Sequence, residues 1–112
     1  MVRGDVCAIT LPRRRGHVQH GRRHAVIVQA DDLLALSTVV ICPTSTSAPP
    51  ASFHPAILLG DEPTRVLCEM VGAVDQRSLG NHVAHLSRDE ITAVDDALAL
   101  VLDLSDRSRG AR

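Results

Sequence analysis

Aromatic side chains are almost missing from this chain: Phe53 stands alone among 112 residues, with no tryptophan and no tyrosine. Base-stacking platforms therefore have almost nothing to be built from, which argues against a module that reads RNA bases on aromatic rings. Lysine is absent too, so all twelve fixed positive charges are arginine guanidiniums. Cysteine is sparse and scattered, at Cys7, Cys42 and Cys68, with no Cys-x-x-Cys pair to support a zinc knuckle or a redox dithiol. Each falls in a predicted strand, and buried, reduced thiols are expected. No apolar run is long enough to span a bilayer, and the N-terminus lacks the apolar segment of a signal peptide. A soluble, cytoplasmic chain is expected.

What is present suits one domain with an aliphatic core, expected over residues 1–104, followed by a polar, disordered tail over residues 105–112. The net charge of −1 hides a division along the chain. Residues 1–30 hold six arginines against Asp5 alone, whereas residues 31–112 hold six arginines against twelve acids. The first part can attract a polyanion although the whole is near neutrality.

Hydrophobic patterning predicts strands over Val2–Leu11, Ala25–Gln29, Thr38–Cys42, Ala56–Leu59, Arg65–Met70 and Asn81–Leu86, the last following a turn at Gly80. Asp31-Asp32 opens a short turn or helical excursion, and Pro43 to Pro50 reads as an exposed loop. One helix is expected from Ser87, because Ser87 and Glu90 have capping-box spacing. Ile91, Val94, Leu98, Val101 and Leu102 then share a face. Short strands followed by a terminal helix suggest a mainly β fold with helices (α+β), a small barrel with a helical lid.

The densest chemistry lies between the first two strands, in Arg13-Arg14-Arg15-Gly16-His17-Val18-Gln19-His20-Gly21-Arg22-Arg23-His24. Guanidinium groups bind phosphate in forked pairs, histidine moves protons near neutral pH, and the glycines permit close approach. Phosphate binding is the favoured reading over a merely solvated loop. His20 and His24 have i, i+4 spacing, but the pattern is not helical and the surrounding arginines repel a divalent cation, so no metal site is expected. Thr44-Ser45-Thr46-Ser47 follows a buried strand; its hydroxyls either close an ordinary turn or contact a phosphoryl oxygen. Glu69, inside the apolar run Val66–Val71, either faces solvent on a half-exposed strand or faces inward and pairs with an arginine of the basic loop.

Several of these segments, in order, resemble the MazF/PemK family of toxin–antitoxin ribonucleases, from Arg3 to about Leu104. Arg3-Gly4-Asp5-Val6 is similar to the family's Arg-Gly-(Asp/Glu)-(Ile/Val) opening, and Gly16 to Val26 to its Gly-His-Glu-Gln-x-Gly-x-Arg-Pro-Ala-Val segment. Val39 to Ser45 resembles the strand ending in Pro-x-Thr-Ser, and Val66-Leu67-Cys68-Glu69 the Val-Leu-(Cys/Ala)-(Glu/Asp) strand, with Val74-Asp75 and Leu79 following. Leu86-Ser87 then leads into the helix. The resemblance implies an SH3-like β-barrel with a C-terminal α-helix, of the kind shared by CcdB and PemK, assembled as a homodimer with single-stranded RNA in the interface groove. It implies sequence-specific cleavage without a metal or cofactor, by attack of the ribose 2′-hydroxyl on the adjacent phosphate, and a cognate antitoxin that blocks the groove with an acidic tail.

Carried over by position, Arg23 matches the family's essential arginine and Ser45 its catalytic threonine, hydroxyl kept and methyl lost. His17 and Glu69 match positions from which either could act as general base. RNA contacts are expected from Arg13, Arg14, Arg15, Gln19, Arg22, His24 and Thr44. This chain departs from the family pattern with His24 for proline, Val18 for glutamate and Met70 for glutamine. Two other readings stand beside the ribonuclease: a CcdB-like toxin that poisons gyrase, and a barrel that binds RNA without cutting it. The gyrase activity rests on C-terminal contacts, for which Ser105–Arg112 offers no apolar or aromatic anchor.

Overall fold

The computed structural model describes residues 1–10 and 23–104. Among these the chain forms strands β1 (Asp5–Ile9), β2 (Arg23–Ile27), β3 (Thr38–Ser45), β4 (Ala56–Leu59), β5 (Glu62–Val66), β6 (Gly72–Asp75) and β7 (Leu79–His85), then helix α1 (Arg88–Val101). Short 3-10 turns cover Asp31–Leu33, Cys68–Met70 and Gln76–Ser78. The sheet is antiparallel, in the order β4-β5-β3-β2-β1-β7, and β6 adds to β3. It curls into a half-barrel closed by the one C-terminal helix, the expected mainly β architecture.

The eight-residue β3 directs the curl. One side runs along β2; the other is shared, Thr38–Ile41 pairing with β6 and Thr44-Ser45 with β5. Pro43 sits between those two partners, where its missing N–H breaks no ladder bond, and its carbonyl still accepts from Leu67 at 2.8 Å. The strand thus continues through Pro43 to Ser45, past the point where a loop was expected.

Both faces of the central strands are buried. Val6, Val26, Cys42, Ile57 and Val66 pack with Leu86, Val94, Ala97 and Leu98 under the helix, while Ile9, Ala25, Ile27, Val39 and Ile41 form a second cluster. Strands buried on two faces read as continuous apolar runs rather than alternating ones, which is how β3 appears in sequence. Gly4 lies in the left-handed region (φ 94°), and a Cβ there would come within 2.9 Å of the Ile91 side chain.

The helix starts as expected. Glu90 N donates to Ser87 Oγ at 3.1 Å and Ser87 N to Glu90 Oε1 at 2.8 Å, completing the capping box. Glu90 Oε2 also accepts from Leu58 N at 2.9 Å, so the cap ties the helix to β4. At the other end Leu104 N bonds to Ala99 O and Asp103 N to Leu100 O, with Asp103 at φ 56° in the place glycine usually takes in a Schellman ending. Leu102, expected on the buried face, is instead exposed at this cap.

Three other expectations are corrected. Arg65–Met70 is not one strand: β5 begins at Glu62, ends at Val66, and Cys68–Met70 is a 3-10 turn, so Cys68 and Glu69 leave the sheet. Strand β6 was not expected, because only Val74 of its four residues is even partly buried. Gly80 lies within β7 rather than in a turn, and its open face lets Ala8 approach a would-be Cβ at 3.4 Å. Cys7, Cys42 and Cys68 are buried and free, as expected. The Cys42 thiol is pushed up first by its hydrogen bond with Cys68 and then by burial. The expected tail at 105–112 lies outside the described residues.

Candidate functional site

A cavity of about 610 Å³ opens where β2, β3 and the β4–β5 hairpin meet. Arg23, His24, Thr44 and Ser45 line one side, and the register of the sheet explains why. Ala25 pairs with Pro43, so two residues further on Arg23 lies across from Ser45. On its other side Ser45 pairs with Arg65 of β5. One hydroxyl therefore stands in a cross-strand row between two guanidinium-bearing residues, separated in sequence by 42 positions.

Arg23 is held loosely. One Nη1 contact reaches the Thr44 carbonyl at 3.3 Å, and Nε is buried with no hydrogen-bond partner. It is the only buried side-chain nitrogen or oxygen among the described residues left in that state. Leaving such a donor unsatisfied costs about 1–3 kcal/mol. An acceptor supplied from outside would recover that energy. Thr44, 4% exposed, is committed to structure: its hydroxyl donates to the His24 carbonyl at 3.3 Å. Ser45 Oγ accepts from Ser47 N at 3.1 Å and lies 3.3 Å from Ser47 Oγ, a turn that leaves the hydroxyl at the cavity wall.

Of the residues expected from sequence, the structure thus brings together Arg23, Ser45, His24 and Thr44. Arg13, Arg14, Arg15, His17, Gln19 and Arg22 lie outside the described residues. Glu69 does not line this cavity. Both its carboxylate oxygens meet His54 Nε2, at 2.9 and 3.0 Å, so of the two readings left open neither is met in full: the side chain is half-exposed and its partner is a histidine, not an arginine. Sequence reasoning overlooked His54, Arg65 and the opposite wall, where Glu62 and Thr64 of the hairpin and Val83 of β7 line the space. Arg65 and Glu62 carried no local signal; only strand pairing brings Glu62 to the cavity and Arg65 beside Ser45.

A second hollow, about 350 Å³, lies beside Asp5, Cys7 and His82. Asp5 Oδ1 accepts from His85 Nδ1 at 2.8 Å and His82 Nε2 at 3.2 Å, while Oδ2 accepts from Val2 N at 2.8 Å. Burial raises the Asp5 carboxyl, but the Val2 amide, His85 and His82 together outweigh it and hold it below the usual carboxylate range. No group of three or more His, Cys, Asp or Glu among the described residues is arranged to hold a metal ion. No helix among them is long and apolar enough to cross a membrane.

Comparison with known proteins agrees with this fold. A family model described as PemK-like, MazF-like toxin of type II toxin–antitoxin systems matches residues 2–102. A Mycobacterium tuberculosis (strain ATCC 25618 / H37Rv) protein named as a candidate toxin, Rv3098A, is 35% identical over 106 residues, covering 93% of this chain and 99% of its own. A mycobacterial endoribonuclease, solved in complex with its cognate antitoxin, superposes with a TM-score of 0.79 at 19% identity, over 93% of this chain and 96% of that one. MazF from Deinococcus radiodurans superposes with a TM-score of 0.77 at 22% identity, over 92% and 96%. These two likenesses concern the fold.

Proposed function

This chain belongs to the PemK-like, MazF-like toxin family of type II toxin–antitoxin systems, and on that premise we propose that it is a sequence-specific endoribonuclease that cuts single-stranded RNA without a metal. The 2′-hydroxyl loses its proton as it attacks the adjacent phosphorus, the bond to the 5′-oxygen breaks, and that oxygen takes a proton from water, so the products carry a 2′,3′-cyclic phosphate and a 5′-hydroxyl. The observation that carries this reading is the buried, unpartnered Nε of Arg23 beside the Ser45 hydroxyl. A phosphoryl oxygen is the acceptor that a guanidinium N–H fits best, through a charge-assisted bond.

In this reading Arg23 supplies fixed positive charge to the phosphorane as its non-bridging oxygens gain negative charge. Guanidinium is a poor proton donor by its ordinary acidity, so its role is electrostatic. Ser45 donates to a phosphoryl oxygen. His17 takes the proton from the 2′-hydroxyl, the carboxylate of Glu69 being turned toward His54. Arg13, Arg14, Arg15, Gln19 and Arg22 hold the flanking backbone, and His24 and Thr44 shape the floor. Two copies form the working toxin, in the cytoplasm, and a cognate antitoxin neutralises it by laying an acidic segment along the groove. The antitoxin complex of the structurally similar mycobacterial endoribonuclease supports the pairing with a cognate antitoxin.

The test is incubation of the purified chain with a long unstructured RNA in EDTA, beside Arg23→Ala. Discrete fragments with 5′-hydroxyl ends, lost in the variant, are expected. Intact RNA across a varied substrate, or equal cutting by Arg23→Ala, counts against the assignment.

A further inference from the structure

His54 is a buried titratable group that the proposed chemistry leaves unused; its side chain is 7% exposed. It lies two residues before β4, in the connection from Ser45 whose first residues, Thr46 and Ser47, line the cavity. Its Nδ1 lies 2.8 Å from the Pro49 carbonyl, and its Nε2 lies 2.9 and 3.0 Å from the two Glu69 oxygens. A carbonyl only accepts, and so does Glu69 when it is a carboxylate, so a ring that donates from both nitrogens satisfies both neighbours. The geometry suits an imidazolium. A neutral ring would turn a lone pair onto one of these oxygens.

The ring joins three pieces of chain: the crest of the connection at Pro49, the entry to β4, and the 3-10 turn that follows β5. Backbone bonds extend the joint, Cys68 N to Phe53 O at 3.3 Å and His54 N to Ala51 O at 2.9 Å. Arg65 Nη1 donates to the His54 carbonyl at 2.9 Å, and Arg65 is the register partner of Ser45. His54 is therefore linked to the cavity twice, through the wall that begins at Thr46 and through the arginine beside Ser45.

We propose that His54, clasped as a cation between Pro49 and Glu69, is a positioning residue for the cleavage site, and that loss of its proton loosens the cavity wall and slows cutting. This rests on the ribonuclease reading of the cavity. The charged or titratable groups facing the ring are Glu69 and Cys68 from the 3-10 turn; Arg65 from β5 meets its carbonyl, and the Phe53 ring packs edge-on at 4.6 Å. The Glu69 bond first, and the Pro49 carbonyl next, raise the proton affinity of His54 against the opposing effect of burial. With the folded value raised, the clasp is complete below histidine's ordinary value of about 6.5 and is lost as pH rises through the raised one. Activity should carry an alkaline limb that Glu69 sets.

The experiment follows the full-length chain by the pH dependence of kcat/KM on a short RNA, and by NMR titration of the His54 ring assigned with His54→Gln. Glu69→Gln alters a half-exposed side chain, keeps an acceptor oxygen and removes the charge. It should move both the ring titration and the alkaline limb down by about 1–3 pH units, the usual effect of a close opposite charge, and recover the wild-type rate at low pH. Exchange of the Cys68 amide should quicken in step with ring deprotonation. A ring already neutral at pH 7, or a rate profile indifferent to Glu69→Gln, overturns the proposal and leaves the ribonuclease standing. Absence of cleavage by the wild type at every pH overturns both.

Discussion

Two arginines near the sheet invite comparison. Arg3, its side chain 30% exposed, is engaged at both ends of its guanidinium: Nε donates to the Val28 carbonyl at 2.8 Å and Nη2 meets Asp95 at 2.7 Å, tying β1's entry to the helix. Arg23 has one long bond to a carbonyl and a buried Nε with no hydrogen-bond partner. The first arginine serves the fold and the second waits for an acceptor. Where a buried donor is left unpaired in an otherwise satisfied structure, the missing partner is the functional question.

Mutation can break this contrast. Arg23→Ala should lower the cleavage rate by about 10²–10³-fold, the loss seen when one donor to a developing oxyanion is removed. Its thermal midpoint should hold or rise, because the substitution removes an unsatisfied buried donor along with one long hydrogen bond. Initial rates and melting curves on one preparation check both halves. Ser45→Ala should cost about 10–100-fold in rate, one hydrogen bond to a charged phosphoryl oxygen, whereas Ser45→Thr should keep the activity.

Arg3→Ala should do the reverse. The rate per folded molecule stays near wild type, while urea unfolding shows a loss of about 1–2 kcal/mol, mostly the charge-assisted bond to Val28; the Asp95 pair is too exposed to add much. A fall in rate without loss of stability would show that Arg3 is not merely structural. The smallest effect concerns Asp5. Its depressed folded value means that its contribution is present above the ordinary aspartate value of about 3.9 and is lost as pH falls through the folded value. Unfolding free energy should therefore slope more steeply with acid in the wild type than in Asp5→Asn. Parallel slopes would remove the two histidines from the account of the fold.

The sequence already held the parts of this molecule that are local in the chain. The capping box of Ser87 and Glu90, the buried run of β3, and the arginine and hydroxyl flanking β2 and β3 all show in short windows, and the family resemblance joined them. What escaped depends on pairing across distance. Strand β6 is nearly all exposed, so no periodicity announces it. Glu69 looked like a strand residue because its neighbours are apolar, yet Val66 ends β5 and Cys68 packs a turn against the core. Its partner His54 lies fifteen residues away, in a proline-rich connection without a pattern. Arg65 becomes a neighbour of Ser45 only when β5 pairs with β3.

The central claim is that the vacant Nε–H of Arg23 receives a phosphoryl oxygen. The most direct measurement is the ¹⁵N–¹H signal of that group in the presence of an RNA of the cleaved sequence whose 2′-hydroxyl at the scissile position is replaced by hydrogen. The account predicts a slowly exchanging Nε proton with scalar coupling to one phosphorus of the bound strand. Saturation with RNA that leaves the Arg23 Nε proton unshifted and exchanging as before would place the phosphate elsewhere and contradict it.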